Sequence, residues 1–329
     1  MQYRMLGKTG LKVSEVGFGA WAIGGPAELG GVQIGWGDVD DEVSVRAVHA
    51  ALDAGVNFID TADSYGRGHS EEVLAKALAG RRDEVVIATK FGSRVDSEGQ
   101  WVKDFSGEWI RQAVEASLRR LNTDYIDLIQ CHSPWGLEAL TDDTFAALED
   151  LKQAGKIRHY GVSVKQTEHG VPVLRRWPQV ETIQVVYNIL SRQAEAELLP
   201  LAQEGAVGII ARVPLASGFL TGKFGPDVAF PENDHRSRSY PPAKARWVVE
   251  AVEKSRFLER GGKKTMAQAA LQFCLSHAAV SVVIPGAKTA EQARDNAAAS
   301  DGVLLTPEEL ARIRAEVSGD LTGMTVSKK

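Results

Sequence analysis

Eight short apolar runs, with helix-patterned stretches between them, limit what this chain can fold into. They are SEVGFG (14–19), NFIDTA (57–62), VVIATKF (85–91), IDLIQCH (126–132), RHYGVSV (158–164), TIQVVYN (182–188), VGIIARV (207–213) and VSVVIPGA (280–287). Between them, 41–55 carries Val43, Ala47, Val48, Ala51 and Leu52 at helical spacing and closes on Gly55. The stretches 70–80, 106–121, 142–155 and 194–205 are patterned in the same way. Strands joined by helices run parallel, and strands covered on both faces read as nearly unbroken apolar runs. Eight such units in 329 residues predict an α/β fold, a closed (β/α)8 TIM barrel rather than an open sheet. No linker rich in Pro, Ser or Gly divides the chain, so one domain over 1–329 is expected.

Two stretches depart from the even spacing. Residues 1–15, with Gly7 and Lys8-Thr9-Gly10 between extended halves, predict a β-hairpin ahead of the barrel. Between the seventh and eighth runs, a long polar loop at 224–244 and an extra helix over 245–262 are expected. A third feature misleads. Residues 17–22 satisfy G-x-G-x-x-A, the fingerprint of an open-sheet dinucleotide fold, which must run straight into a helix. Here Ile23-Gly24-Gly25-Pro26 breaks one, and the motif is rejected.

Composition narrows the class. A net charge of −5 argues against a nucleic-acid or anionic-membrane surface. No apolar run approaches the roughly 20 residues that span a bilayer, and the opening MQYRMLGKTGLKV lacks a signal peptide's apolar stretch. Cys131 and Cys274 make no disulfide framework, and His49, His69, His159, His169, His235 and His277 show no metal-ligand spacing. A cytoplasmic enzyme without a metal is the expectation.

In such a barrel the functional side chains gather where strands end. The second run ends at Asp60 with Tyr65 in its loop, the third delivers Lys90, and the fourth delivers His132. Taken singly, each has a plain role: turn former, solvent-seeking lysine, satisfied histidine. Together they equip a rim to protonate an oxyanion. A free tyrosine, with a pKa near ~10, donates poorly at neutral pH, and a neighbouring ammonium lowers that pKa. A carboxylate such as Asp60 keeps Lys90 charged, and His132 can donate to a carbonyl oxygen as charge builds. Asp63 reads as a turn residue. Cys131, adjoining His132, is turned by strand alternation into the layer between barrel and helices. Trp21 and Trp135 lie in rim loops and can line a substrate pocket as readily as anchor their loops.

With GFGAW, NFIDTADSYG, ATKFG, DLIQCHSPW, GVSV, QVVYN, PLASGFLTGKF and IPGAKTAEQARDN in order, the chain resembles an aldo-keto reductase from about residue 3 to about residue 300. It is similar in particular to the bacterial members and to the potassium-channel β-subunit branch. The resemblance implies that Asp60, Tyr65, Lys90 and His132 form the family's tetrad, with Tyr65 as general acid. It implies NADPH/NADP+ as cofactor and a small-molecule carbonyl as substrate, with no nucleic-acid or membrane partner. Ser163 and Gln184, closing the fifth and sixth runs, can hold a carboxamide, and the resemblance assigns them to nicotinamide. Ser217, Gly218 and Lys223 offer groups to a pyrophosphate. Lys288 lies near a helix N-terminus that favours anions, and the resemblance turns Gln292, Asp295 and Asn296 to the adenosine. It adds Gly19, Trp21, Pro214, Leu215 and Gly286 to the cofactor contacts. Arg294 reads as readily as a solvated helix residue.

Two positions differ from many family members. Val164 stands where GVSN would place an amide, and Arg212 stands where an aromatic ring usually covers the nicotinamide. Arg212, a planar and weakly hydrated cation, is expected to take that ring's place, the alternative being that it turns to the pyrophosphate or to a loop carboxylate. The expected activity is NADPH-dependent reduction of an aldehyde or ketone. A cofactor-binding regulatory subunit is the alternative, which the complete tetrad disfavours, and an isomerase on the same barrel would leave the tetrad unused.

Overall fold

The computed structural model describes residues 1–320. The eight runs become β1 (Phe18–Gly19), β2 (Phe58–Asp60), β3 (Val86–Phe91), β4 (Ile126–His132), β5 (Ile157–Ser163), β6 (Thr182–Val186), β7 (Gly208–Arg212) and β8 (Val280–Ile284). Each pairs in parallel with its neighbour in chain order. The free edges of β1 and β8 meet through Gly17 N to Val283 O at 2.8 Å and Gly19 N to Pro285 O at 2.9 Å. The barrel expected from the sequence is thereby closed, and after β1 the chain enters a single 3-10 turn, Ala22–Gly24, instead of a dinucleotide-binding helix.

Among the described residues, ten helices of seven residues or more surround it: α1 (Asp41–Asp53), α2 (His69–Ala77), α3 (Gly107–Leu121), α4 (Asp142–Gln153), α5 (Gly170–Arg176), α6 (Leu198–Glu204), α7 (Pro242–Ser255), α8 (Met266–Leu275), α9 (Ala290–Ala297) and α10 (Pro307–Glu316). Side-chain caps start several of them, as where Asp40 accepts from Val43 N at 2.9 Å and Thr265 and Gln268 form a capping box. Periodicity does not signal α5 or α8. The first has seven residues and a proline, and the second is buried at every position except Gln268, so it has no polar face to set a period. The stretch 194–205 is not one helix: a 3-10 turn, Gln193–Glu195, is separated from α6 by Glu197 at φ −141°.

Alternation along the strands sorts the core in two. Ile87, Phe91, Ile129 and Cys131 pack outward against the helices. Phe58, Val86, Ala88, Leu128, Ile210 and Val282 point inward, where Leu6, Leu11 and Val13 of the N-terminal hairpin (Tyr3–Met5 with Lys12–Ser14) join them. The hairpin thus plugs the N-terminal end of the barrel. Arg4 pins it, donating to the carbonyls of Val280 and Leu275 and to buried Glu15. With that end filled by apolar side chains, the inward positions left for polar groups lie at the opposite rim.

Two further hairpins stand on that rim, Glu28–Leu29 with Val32–Gln33 and Ser93–Val95 with Trp101–Lys103, where the sequence reads only as loop. They touch: at Gly30, φ +54°, a β-carbon would lie 2.5 Å from Trp101 N, so only glycine fits this turn.

Candidate active site

Strand register brings the four rim residues together. On β3 the inward series Val86, Ala88, Lys90 ends in a lysine, and on β4 the series Leu128, Gln130, His132 ends in a histidine. Lys90 lies opposite Gln130, and His132 opposite Ser163, which in turn lies opposite Gln184. Lys90, fully buried, donates from Nζ to Asp60 Oδ1 at 2.5 Å, Thr61 O at 2.7 Å and Tyr65 Oη at 3.2 Å. All three ammonium protons are used. Tyr65 meets the His132 ring edge-on at 5.8 Å between centroids. After it, Gly66 at φ +62° has room only for hydrogen, because a β-carbon would collide with the Gly24 carbonyl. That glycine lets the loop turn tightly enough to set the phenol over the lysine.

Sequence reasoning did not single out the layer beneath. Asp60 Oδ2 accepts from Gln184 Nε2 at 2.7 Å and from Gln130 Nε2 at 3.2 Å. Gln184 Oε1 in turn accepts from Ser163 Oγ at 3.2 Å. Of the two residues expected to face a carboxamide, Gln184 therefore binds the carboxylate and Ser163 binds Gln184. The signal for Gln130 was available: it is a polar residue two positions before His132, on the inward face of a buried strand. Ser64 is the other unforeseen contact, with Oγ 3.3 Å from His132 Nδ1.

Electrostatics refine the expected roles. Burial raises the Tyr65 pKa above its ordinary value and outweighs the lowering by Lys90, so the phenol keeps its proton throughout the neutral range. Burial pulls Lys90 down, but Asp60 and Tyr65 more than offset it, and the ammonium stays charged. Burial, reinforced by the positive charges of Lys103, Lys90 and Arg212, holds His132 well below its usual value and therefore neutral. Asp63 does sit in a turn, but its carboxyl is pushed up to about 8 by burial.

A cavity of about 1170 Å³ opens above these groups. Asp60, Tyr65, His132, Ser163 and Gln184 line its floor. Gly19, Trp21, Pro214, Leu215, Ser217 and Gly218 line its flank, and Lys223, Gly286, Lys288, Gln292, Asp295 and Asn296 line its far arm. Every residue expected to hold cofactor, Arg212 included, thus faces one space. Lys288 Nζ reaches across to Trp36 O at 2.8 Å, and Gln268 Nε2 holds Asp295 at 2.7 Å. Trp21, Trp36 and His235 cluster at 4.4–5.3 Å between centroids, so residues 35–36 meet 234–235 over the cavity. The donor set suits a dinucleotide: Lys223 and Lys288 lie in the far arm, and Arg212 Nε is buried with no partner.

The model of the aldo/keto reductase family matches residues 15–317. The chain belongs to that family. It is 34% identical over 326 residues to an uncharacterized oxidoreductase, YqkF, of Bacillus subtilis (strain 168), covering 98% of each chain. It is 33% identical to a probable voltage-gated potassium channel subunit beta of Oryza sativa subsp. japonica, covering 96% of this chain and 97% of the other. Identity is also 33% to the NADH-specific methylglyoxal reductase of Escherichia coli (strain K12), covering 89% and 92%. Among solved structures it is similar to the holo form of the aldo-keto reductase AKR11C1 from Bacillus halodurans, with 32% identity, 97% of each chain covered and a TM-score of 0.79. The fold, the oxidoreductase class and a nicotinamide cofactor follow from this membership. Among the described residues, no helix is long and apolar enough to cross a membrane.

Proposed function

We propose that this protein, working as a single barrel domain, is an NADPH-dependent oxidoreductase that reduces an aldehyde or ketone to its alcohol, with Tyr65 as general acid. The observation that carries the reading is the buried chain Asp60–Lys90–Tyr65, at 2.5 and 3.2 Å, at the floor of the cavity. Held by the residues that line the cavity, a reduced nicotinamide would be the source of hydride for a carbonyl carbon. Tyr65 gives its proton to the carbonyl oxygen, and Lys90 steadies the phenolate until solvent returns a proton. His132 is neutral, so one ring nitrogen carries hydrogen. In the tautomer in which the Ser64 hydroxyl donates to Nδ1, that hydrogen sits on Nε2, free to bond the developing oxyanion, and this is the tautomer the reading requires. Mixing protein, NADPH and 4-nitrobenzaldehyde is expected to bleach the nicotinamide absorbance. No bleaching with a panel of aldehydes and ketones would sink the reading.

Preference for NADPH rests on Lys288, beside the N-terminus of α9, where an additional phosphate meets an ammonium and a helix dipole. Lys288→Ala is expected to weaken NADPH by about 10-fold, the size of one charge-assisted contact, and NADH less. Equal affinities for the two cofactors in the unsubstituted protein would remove the basis for it.

Arg212 is assigned to cover the nicotinamide ring. Its Nη2 donates to Val164 O at 3.0 Å, which ties the guanidinium across the rim and leaves Nε unpartnered. A cation there repels the positively charged oxidised ring and favours the neutral reduced one. Arg212→Tyr is therefore expected to tighten NADP+ relative to NADPH in fluorescence titrations, and an unchanged ratio would refute the assignment.

A further inference from the structure

We propose that the enzyme's carbonyl substrates carry a carboxylate, received at the substrate side of the cavity by the ammonium of Lys103 with Lys165 beside it. The inference rests on the carbonyl-reductase reading and specifies its substrate class. The wall in question is built by the rim hairpin Ser93–Val95 with Trp101–Lys103. Alternation sets Trp101 and Lys103 on one face of the second strand, and both line the cavity. Trp135, following β4, meets Trp101 edge-on at 5.9 Å between centroids. Each indole carries a cation: Lys103 Nζ lies 5.7 Å from the Trp101 ring and Lys165 Nζ 5.9 Å from the Trp135 ring.

Lys103 is fixed rather than free. It donates to Ser93 Oγ at 2.8 Å and to the backbone oxygen of His132 at 2.7 Å. An ammonium has three protons to give, so one remains beside the residue that would bind the reacting carbonyl. Neither lysine has a carboxylate within 4 Å among the described residues, and both partners of Lys103 are neutral. Asp63 is the acidic group whose charge bears on Lys103, and burial pushes its own carboxyl up to about 8.

A largely buried cation without a counter-ion is costly to keep. Burial indeed draws the Lys103 ammonium down to about 8. A ligand oxyanion would accept from the remaining ammonium proton, while the flat apolar surfaces of Trp101 and Trp135, which line the cavity, would cover the carbon skeleton. Lys223 and Lys288, the cations expected to meet the cofactor's phosphates, follow β7 and β8, whereas Lys103 belongs to the hairpin that follows β3.

The test compares aldehydes of the same shape and different charge: 4-formylbenzoate with 4-nitrobenzaldehyde, and the corresponding 3-substituted pair. For each pair the ratio of kcat/KM, carboxylate over nitro, is measured at saturating NADPH in the unsubstituted enzyme, in Lys103→Met and in Lys103→Arg. Lys103→Met is expected to lower the ratio by about 10- to 100-fold in at least one pair, the range of a hydrogen bond to a charged group, mainly through KM. Lys103→Arg is expected to restore most of it. In the unsubstituted enzyme, added salt is expected to raise KM for the formylbenzoate and not for its nitro partner, a readout that needs no variant. A ratio unchanged within about two-fold in both pairs, or KM values insensitive to salt, would overturn the anion site while leaving the reductase reading intact. Failure of both neutral aldehydes in the unsubstituted enzyme would instead count against the reductase reading.

Discussion

Tyr65→Phe is expected to lower kcat/KM for 4-nitrobenzaldehyde by about 10²–10⁴-fold, the usual worth of a positioned acid, while the NADPH dissociation constant stays close to its original value. The substitution removes one oxygen and little else. Lys90 keeps Asp60 Oδ1 at 2.5 Å and Thr61 O at 2.7 Å, so the ammonium remains paired and in place. The ring also keeps its neighbours, Trp21 stacked at 5.8 Å and His132 edge-on at 5.8 Å. The pH profile gives an independent readout. Burial raises the Tyr65 pKa, so the acid form persists through neutrality, and the rate falls only as pH climbs past the ordinary tyrosine range of about 10. The residual activity of the variant is expected to lose that alkaline limb. Turnover within about five-fold of the original, far short of the expected loss, would take Tyr65 out of the mechanism.

Much of this site is legible in the sequence because strand ends are. Once Asp60, Lys90 and His132 are assigned to successive parallel strands, the barrel's topology places them on one rim without further information, and register does the rest. The same logic locates Ser163, Gln184 and Arg212. Legibility declines where side chains meet through non-local packing. Gln130 can be placed on the inward face of its strand, but only the register with Lys90 on the neighbouring strand shows that it serves Asp60. The sign of the Tyr65 shift differs from the sequence expectation for a related reason: proximity to Lys90 can be inferred from spacing, but the depth of burial that outweighs it depends on the loops above. Those loops are the least legible part. The two rim hairpins have strands of two or three residues, too short for alternation to register, and the Gly30 turn makes sense only against Trp101. The substrate wall is made of such segments, so the reaction class can be read from the strands and the substrate class needs the folded rim.

The second large effect belongs to Lys90→Met, which is expected to cost about 3–5 kcal/mol of stability along with the activity. Asp60 is 1% exposed, and without Lys90 its charge has only the amides of Gln184 and Gln130 at 2.7 and 3.2 Å. Two neutral donors at Oδ2 leave Oδ1 without a partner in a medium that solvates it poorly, which is the costly half of a broken buried pair. Removing the carboxylate's charge as well is therefore expected to return part of the loss. The double variant Asp60→Asn with Lys90→Met should be more stable than Lys90→Met alone, although it is no more active. Denaturant midpoints of the three proteins would show the effect. A single-variant loss no larger than about 0.5 kcal/mol, the size of an ordinary surface substitution, would mean that Asp60 does not carry its charge in the folded protein, and the tuning of Tyr65 through Lys90 would then need another source.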